Sequence, residues 1–313
     1  MTGELLGTLG KSLAERWLSL LVLPGAVYLA VATAAHVLGH QHAWDLGRLT
    51  DQITHWAQAP AVRTTGGQVV LLAAVLAGAA VAGLAAQSLG SLVERLALAA
   101  DWQTWAPPLR QLARWRVTRR QARWNAARAA YAELLESAGQ AAVHGRRRDA
   151  IPRYTAYRTM THIADERPDR PTWSGDRIHA AAVRLDRDYH LDLATIWPYL
   201  WLNLPDAVRV EITNARTGLT RATTLGGWAM LYALLIFWWW PAALVTAVLA
   251  ALCWQRIRVT ADTHATLLEA ATRLHTSELA RQLGVEHTTP LTPHIGDVLT
   301  DLLHARQSPV IDD

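Results

Sequence analysis

Charged residues are distributed very unevenly along the chain, and their absence marks long apolar runs. No Asp, Glu, Lys or Arg occurs in residues 17–44, 64–93 or 222–255. A helix needs about 20 apolar residues to cross the hydrocarbon core of a bilayer. The pattern therefore predicts that the membrane-spanning helices of this protein lie in these runs.

The first run predicts a spanning helix over about residues 13–38, which its Pro-Gly pair can kink without ending the span. A secretory signal peptide is the alternative. Lys11 and Arg16 would form its basic region, and the Ala-Thr-Ala sequence of residues 32–34 resembles a cleavage site. The apolar run is long for a signal peptide, which favours the spanning helix.

The second run predicts a spanning helix over about residues 68–92, in which small residues recur at every fourth position. Small side chains on one face of a helix let another helix approach closely. That face could pack within one protomer, or it could line a narrow pore in a symmetric oligomer. Polar groups near the inner end are candidates for function. The predicted helix-packing or pore-lining residues are Ala74, Gly78, Ala82, Ala86, Gly90 and Gln87.

The third run is 34 residues long, and one helix of that length would extend about 50 Å, which exceeds a single span. Pro241 favours a helix start, and the tryptophans before it suit a membrane interface. We predict a hairpin with arms near residues 219–239 and 241–258; one kinked span is the alternative. The predicted interface anchors are Trp238, Trp239 and Trp240.

The distribution of arginine predicts the orientation of these helices. Two arginines and two aspartates occupy the loop of residues 39–67, whereas eight arginines follow the second helix by residue 128. Segments rich in arginine stay on the cytoplasmic side of a membrane. The sequence therefore predicts a multi-pass protein of the bacterial plasma membrane with both termini in the cytoplasm.

The predicted fold class is all-α, with four transmembrane helices, a helical cytoplasmic domain between helices 2 and 3, and a C-terminal helical tail. Residues 1–92 would hold the first two spans and an outer loop. Residues 93–218 would form the cytoplasmic domain, 219–258 the hairpin, and 259–313 the C-terminal cytoplasmic helices.

A long helix over residues 109–143 is predicted to begin the cytoplasmic domain. No acidic residue occurs between Asp101 and Glu133, and tryptophans are interleaved with the arginines. Such a segment can be a topology determinant with a solvated face, or it can bind anionic lipid. Nucleic acid is a weaker alternative because no recognition motif is present. The predicted lipid-facing basic residues are Arg110, Arg114, Arg116, Arg119, Arg120 and Arg123.

Shorter elements follow. Residues 151–160 are predicted to be a strand or an irregular connector, and residues 176–189 a helix with Thr172 or Ser174 as its cap. The spacing of apolar residues predicts two C-terminal helices, over residues 260–283 and 295–305.

Four short motifs precede the predicted hairpin. They are Pro171–Asp176 (PTWSGD), Tyr189–Asp192 (YHLD), Trp197–Pro205 (WPYLWLNLP) and Ala215-Arg216. This series resembles a family of uncharacterised bacterial, actinobacterial-type integral membrane proteins. It departs from the family pattern at Asp176, usually Asn, and at His190, usually Gly. The resemblance implies a fold and a topology and no activity; its residues could line a site or serve as caps and turn anchors.

Reactive chemistry is sparse. Cys253 is the only cysteine, which excludes an intramolecular disulfide and a cysteine-based zinc site. Phosphate loops, nucleophile elbows and zincin motifs are absent from the sequence. Four histidines near the outer loop could sense protons or bind a metal, but their spacing fixes no ligand geometry. They are His36, His40, His42 and His55. We expect no cofactor and no enzymatic activity.

Two functional hypotheses remain. The first is a homo-oligomeric channel or pore gated by the cytoplasmic domain, with a topology similar to that of bestrophin-type anion channels. The second is a membrane-anchored scaffold or sensor that recruits a cytosolic protein or anionic lipid. The expected partners are membrane lipids, further copies of the chain and a cytosolic protein.

Overall fold

The computed structural model describes residues 22–146, 148–285 and 291–305, and the regular structure within them is entirely helical. The helices are α1 (Leu23–Leu38), α2 (Leu46–Ala57), α3 (Pro60–Arg63), α4 (Thr65–Leu98), α5 (Pro107–Val143), α6 (Ile151–Ile163), α7 (Trp173–Tyr189), α8 (Leu193–Asn203), α9 (Asp206–Leu235), α10 (Ala242–Gln282) and α11 (Pro293–Ala305). A 3₁₀ turn, Trp102–Thr104, lies between α4 and α5.

The chain divides into two compact units. Unit 1 comprises Met1–Glu94 and Thr220–Arg256, and unit 2 comprises Arg95–Leu219 and Ile257–Asp313. Three helices pass from one unit to the other along the chain: α4, α9 and α10.

Two helices in the described part of the chain, α4 and α10, are long and apolar enough to cross a membrane. Their most apolar stretches are only 22% and 17% buried. Such exposure of apolar side chains is expected where lipid rather than water is the solvent. α1 is apolar but has only 16 described residues, and the four-span topology stays a prediction.

Unit 1 is assembled by close helix contacts at small residues. A Cβ on Gly25 in α1 would collide with the backbone of Ala79 in α4, and one on Gly227 in α9 would collide with the backbone of Ala86. The apolar core around these contacts includes Trp228, Leu231 and Leu235 of α9. Only glycine allows this close approach, because a side chain at either position would occupy the neighbouring helix's backbone.

Unit 2 is assembled like a water-soluble helical domain. Its core joins side chains from α7, α8, α9, α10 and α11, among them Leu185, Leu200, Ile212, Leu279 and Leu299. α5 and α6 form a helix pair at one side, where the Trp124 indole donates to Ala164 O.

Several local predictions can be compared with these elements. The break expected at the tryptophan run is present, since α9 ends at Leu235 and α10 begins at Ala242. The strand or connector predicted at 151–160 is wrong, because those residues belong to α6. The helix predicted at 260–283 is present, but it does not start at residue 260, because α10 continues without a break from Ala242 to Gln282. Residues 13–21 of the first predicted span lie outside the described residues.

Candidate functional site

One face of α4 is closed within the protomer. Ala82, Ala86 and Gly90 are buried, and a Cβ on Gly90 would stand 2.9 Å from Cα of Thr224 in α9. Gly78 is half-buried against Leu29. These four members of the small-residue stripe therefore take part in helix packing inside one copy of the chain.

The opposite face of α4 is uncovered. Ala74 and Gln87 of the predicted set are exposed there or at its edge. The helical period adds further exposed side chains to this face: the small or polar Ala73, Ala77, Ser88 and Ser91, and the larger apolar Val70, Val81 and Leu84. Both serine hydroxyls donate to carbonyls of the same helix, Leu84 O and Ser88 O. This uncovered face was not identified by reading the every-fourth-residue stripe alone.

The tryptophan run lies in the turn between α9 and α10. Trp238 and Trp240 are exposed, and the Trp239 indole donates to Ala43 O. Nearby histidines are held by hydrogen bonds, with His40 at Trp238 O and His42 at Arg48. Among the described residues, no cluster of three or more His, Cys, Asp or Glu is arranged to hold a metal ion.

In unit 2, hydrogen bonds and close contacts of the PTWSGD motif join α7 to the last turn of α4. Thr172 caps α7 by accepting from Gly175 N, and its hydroxyl donates to Ala97 O at 2.6 Å. Gly175 packs so closely against Leu98 O that a Cβ would clash. Arg170 donates to Ala99 O. The motif satisfies carbonyls that a helix C-terminus otherwise leaves without partners.

Asp176, the last residue of this motif, forms a buried ion pair with Arg120 of α5 at 2.6 Å. Its other oxygen accepts from the backbone N–H groups of Asp169 and Arg170. Burial raises the pKa of Asp176, although Arg120 and the two N–H groups act in the opposite direction. Arg120 also donates to Ile163 O, so the pair ties α5, α6 and α7 together.

The YHLD motif supplies turn and cap residues. His190 ends α7 with φ 53° and ψ 35°, the left-handed conformation that glycine adopts without strain. Asp192 caps α8 by accepting from Ala194 N.

A ladder of three ion pairs joins α7 to α10. Arg177 pairs with Asp262 at 2.6 Å, Arg184 with Glu269 at 2.6 Å, and Asp188 with Arg273 at 3.1 Å. Each pair joins residues 85 positions apart in the sequence, so the two helices run parallel and in register. Residues seven and four apart fall on one helix face, which is why each helix presents its three charges to the other.

A groove of about 1020 Å³ lies in unit 2 between α8, α9 and α10. The α8 wall is entirely apolar; its residues are Leu193, Ala194, Trp197, Pro198, Trp201 and Leu202. The rings of Trp197 and Trp201 are 5.8 Å apart. The polar lining residues, Thr213, Arg216, Thr217 and His264, all come from α9 and α10. Trp197, Pro198, Trp201, Leu202 and Arg216 belong to the WPYLWLNLP and Ala215-Arg216 motifs, for which a site-lining role was one of the two alternatives. That these separate segments meet in one groove was not evident from the sequence.

The basic face predicted on α5 is only partly as expected. Arg110, Arg114, Arg116, Arg119 and Arg123 are exposed, together with Leu109, Leu112 and Trp115 at the start of the helix. Arg119 lies over the Trp115 ring at 5.3 Å. Arg120 departs from this set, because it points inward to Asp176 instead of toward lipid. Apolar periodicity could have indicated this, since Arg120 shares a face with buried Ala113, Val117 and Trp124.

No family model, no curated protein and no solved structure matches this chain. The resemblance to the uncharacterised membrane family stays a prediction, and the functional argument depends on the geometry alone.

Proposed function

We propose that this chain is a multi-pass membrane protein that assembles from identical copies into a channel or pore gated by unit 2. The observation that carries the proposal is the two-sided construction of α4. One face is filled by α1 and α9 of the same copy, and the other, which mixes small, polar and larger apolar side chains, remains uncovered.

The uncovered face is difficult to explain if it meets only lipid. Gln87, Ser88 and Ser91 are exposed on a helix that is apolar enough to span a membrane. Polar side chains in a bilayer are rare at lipid-facing positions, and they usually meet another helix or a water-filled space. A neighbouring copy of α4 would provide both a partner and, around a symmetry axis, a narrow lumen whose lining combines alanine and hydroxyl groups with the apolar Val81 and Leu84.

Unit 2 has the contacts needed to act on the spans. Thr172 of the PTWSGD motif donates to Ala97 O, and Arg170, directly before the motif, donates to Ala99 O at the end of α4. The ion-pair ladder holds α10, the helix that begins as the last apolar segment. Since α7 makes both connections, a movement of α7 would act on α4 and α10 together.

The proposed topology has four spans, with α1, α4 and the arms of the α9–α10 hairpin crossing the plasma membrane. Arginine concentrates after α4 and after the apolar part of α10. The positive-inside rule then puts unit 2 and both termini in the cytoplasm.

Cysteine crosslinking in membranes tests the assembly. In a Cys253→Ser background, Ala77→Cys on the uncovered face should form disulfide-linked dimers under mild oxidation. Val75→Cys is the matched control, because it lies at nearly the same depth and is exposed on a different side of α4. Equal crosslinking of both variants, or a monomeric mass in detergent together with no ion flux in liposomes, would contradict the proposal.

A second candidate function is favoured by α5. Leu109, Leu112 and Trp115 are 49%, 53% and 56% exposed, and exposed arginines follow them on the same helix. An apolar and basic helix face of this kind binds the surface of an anionic bilayer. The protein would then act as a membrane-anchored scaffold whose α5 lies on the lipid surface.

An environment-sensitive dye on Leu112→Cys, in the Cys253→Ser background, would report this contact in nanodiscs. Its emission should shift to the blue when anionic lipid replaces neutral lipid, and changing Arg116, Arg119 and Arg123 to Gln should abolish the shift. The same dye on Gly139→Cys, farther along α5, is the control. An emission wavelength that does not depend on lipid charge would rule out the scaffold hypothesis.

A further inference from the structure

The α8 wall of the groove is a large apolar surface without a cover. α8 contains no charged residue, and its Leu202 side chain is 77% exposed. The rings of Trp197 and Trp201 stand beside it in the same wall. Exposed apolar surface of this kind usually marks a place where another chain segment or a partner binds.

The polar groups of the groove indicate which kind of occupant fits. The Thr213 and Thr217 hydroxyls donate to Arg209 O and Thr213 O of their own helix, at 2.7 and 2.8 Å. Among the described residues, the indole N–H groups of Trp197 and Trp201 have no hydrogen-bond partner. The groove therefore fits an extended apolar peptide whose carbonyls accept from the indoles, as in other aromatic-lined grooves that bind proline-containing segments.

Helix α11 ends beside this wall. Leu303 anchors its last turn in the core of unit 2, and Nε2 of His304 lies 3.5 Å from Oγ1 of Thr195 in the first turn of α8. Leu193 and Ala194, in the same turn of α8, line the groove. The chain that follows α11 therefore starts next to one end of the groove.

The residues after α11 have the character that the groove requires. Residues 308–311 read Ser-Pro-Val-Ile and lie outside the described residues. A proline and two β-branched residues favour an extended backbone. At about 3.3 Å per residue, Ile311 can reach about 20 Å from Ala305, whereas Thr195 and Leu202 are only about 10 Å apart along α8. The segment is long enough to pass around the first turn of α8 and reach Leu202.

We propose that residues 308–311 of this chain dock in the groove of the same copy, with Pro309 against Trp197 and Trp201 and Ile311 on Leu202. The docked segment covers the apolar α8 wall and excludes any other apolar occupant. None of the described lining residues is acidic, so the two aspartates that follow Ile311 meet no like charge there. The docking does not depend on whether the protein forms a pore, because each copy contains a whole groove.

Disulfide formation in the full-length protein tests the docked position. In a Cys253→Ser background, Leu202→Cys combined with Ile311→Cys should form a disulfide within one chain under mild oxidation. Mass spectrometry of the linked peptides identifies the bond, and non-reducing electrophoresis separates linked monomers from linked dimers. Val210→Cys combined with Ile311→Cys is the matched control, because Val210 is exposed and lies outside the groove; it should crosslink poorly.

The rate of maleimide modification measures how completely the segment covers the wall. With Leu202→Cys as the only cysteine, adding Ile311→Asp should raise the rate on the order of tenfold, because a charged side chain replaces a buried apolar one. Gln307→Asp adds a charge before the docked residues and is the control, so it should leave the rate nearly unchanged.

Three results would overturn the proposal. Equal crosslinking of Ile311→Cys to Leu202→Cys and to Val210→Cys would show that the segment has no preferred position. Linked dimers in place of linked monomers would show that the groove receives the segment of a second copy. A maleimide rate that Ile311→Asp does not raise would show that the segment leaves the α8 wall uncovered.

Discussion

Helices pack against one another by different kinds of contact in the two units of this protein. In unit 1 the helices meet at glycine and alanine, as at Gly25 against Ala79 and Gly227 against Ala86. In unit 2 they meet through an apolar core edged by paired charges, as at Arg184 and Glu269. Close backbone contact is an effective source of attraction where lipid removes the hydrophobic driving force, while core burial serves where water surrounds the domain.

The comparison teaches that one helix can combine both packing modes along its length. α4 carries no charged residue up to Val93, and its last turn is then held by hydrogen bonds from Arg170 and Thr172. α10 begins with apolar residues and continues into the charge ladder. The change of residue type along each helix marks where one packing mode gives way to the other.

The largest loss of folding stability is expected from placing a side chain at a close helix contact in unit 1. Gly227→Leu would drive a side chain into the backbone of Ala86, and we expect a loss of about 3 kcal/mol or more because that backbone cannot move aside alone. The measurement is the yield and melting temperature of monodisperse protein in detergent.

Gly66→Leu is the control for this substitution, because no neighbouring atom lies within 4 Å of a Cβ at Gly66. If Gly227→Leu melted and purified like Gly66→Leu, backbone contact would not be what holds unit 1 together.

A slightly smaller loss of stability is expected from breaking the buried ion pair between Asp176 and Arg120 in unit 2. Asp176→Asn keeps the acceptor for the N–H groups of Asp169 and Arg170 but leaves the half-buried Arg120 without its charge partner. Removing one member of such a pair costs about 3 kcal/mol. Intrinsic tryptophan fluorescence during thermal unfolding would measure the loss.

The double variant Asp176→Asn with Arg120→Met tests whether the unpaired charge of Arg120 causes the loss of stability. It should recover most of the stability, since a neutral pair no longer buries an isolated charge. A double variant as unstable as Asp176→Asn alone would show that the hydrogen bonds of Arg120, and not its charge, matter.

The smallest loss of stability is expected from removing one charge of the ion-pair ladder between α7 and α10. Glu269→Gln removes the charge facing Arg184 and Arg273, and these side chains are partly exposed, so we expect a loss of about 1 kcal/mol. The loss should shrink further at high salt, because mobile ions screen exposed charges.

The double variant Arg184→Glu with Glu269→Arg reverses the ion pair. It should regain only part of the stability that Glu269→Gln loses, because Asp165 and Arg273 also contact the two sites. A loss for Glu269→Gln that did not change with salt would indicate that packing, rather than charge, joins α7 to α10 here.

Much of the helical layout could be predicted from the sequence. The apolar runs located α4 and the turn between α9 and α10, and the long helix predicted over residues 109–143 corresponds to α5, Pro107–Val143. The error at residues 151–160 has a physical cause. Tyr154, Tyr157 and Thr159 favour strands intrinsically, but packing of Tyr157 on Tyr131 of α5 holds the segment as α6.

The candidate sites were much less predictable. Arg120 looks like its arginine neighbours on α5, and only the position of Asp176 shows that it turns inward. The groove needs α8, α9 and α10 together, and the WPYLWLNLP and Ala215-Arg216 motifs, which supply part of its lining, do not by themselves indicate that they meet.

The sequence by itself determined which segments are apolar and which are basic, and it located several helix ends, because hydropathy, arginine placement and capping act over a few residues. Only the tertiary structure decided which face of α4 is filled and which charges pair between α7 and α10. It also decided that a tryptophan wall stands opposite Arg216 and His264. Those outcomes depend on contacts between residues far apart in the chain, and in one sequence no local pattern specifies which helix faces will meet.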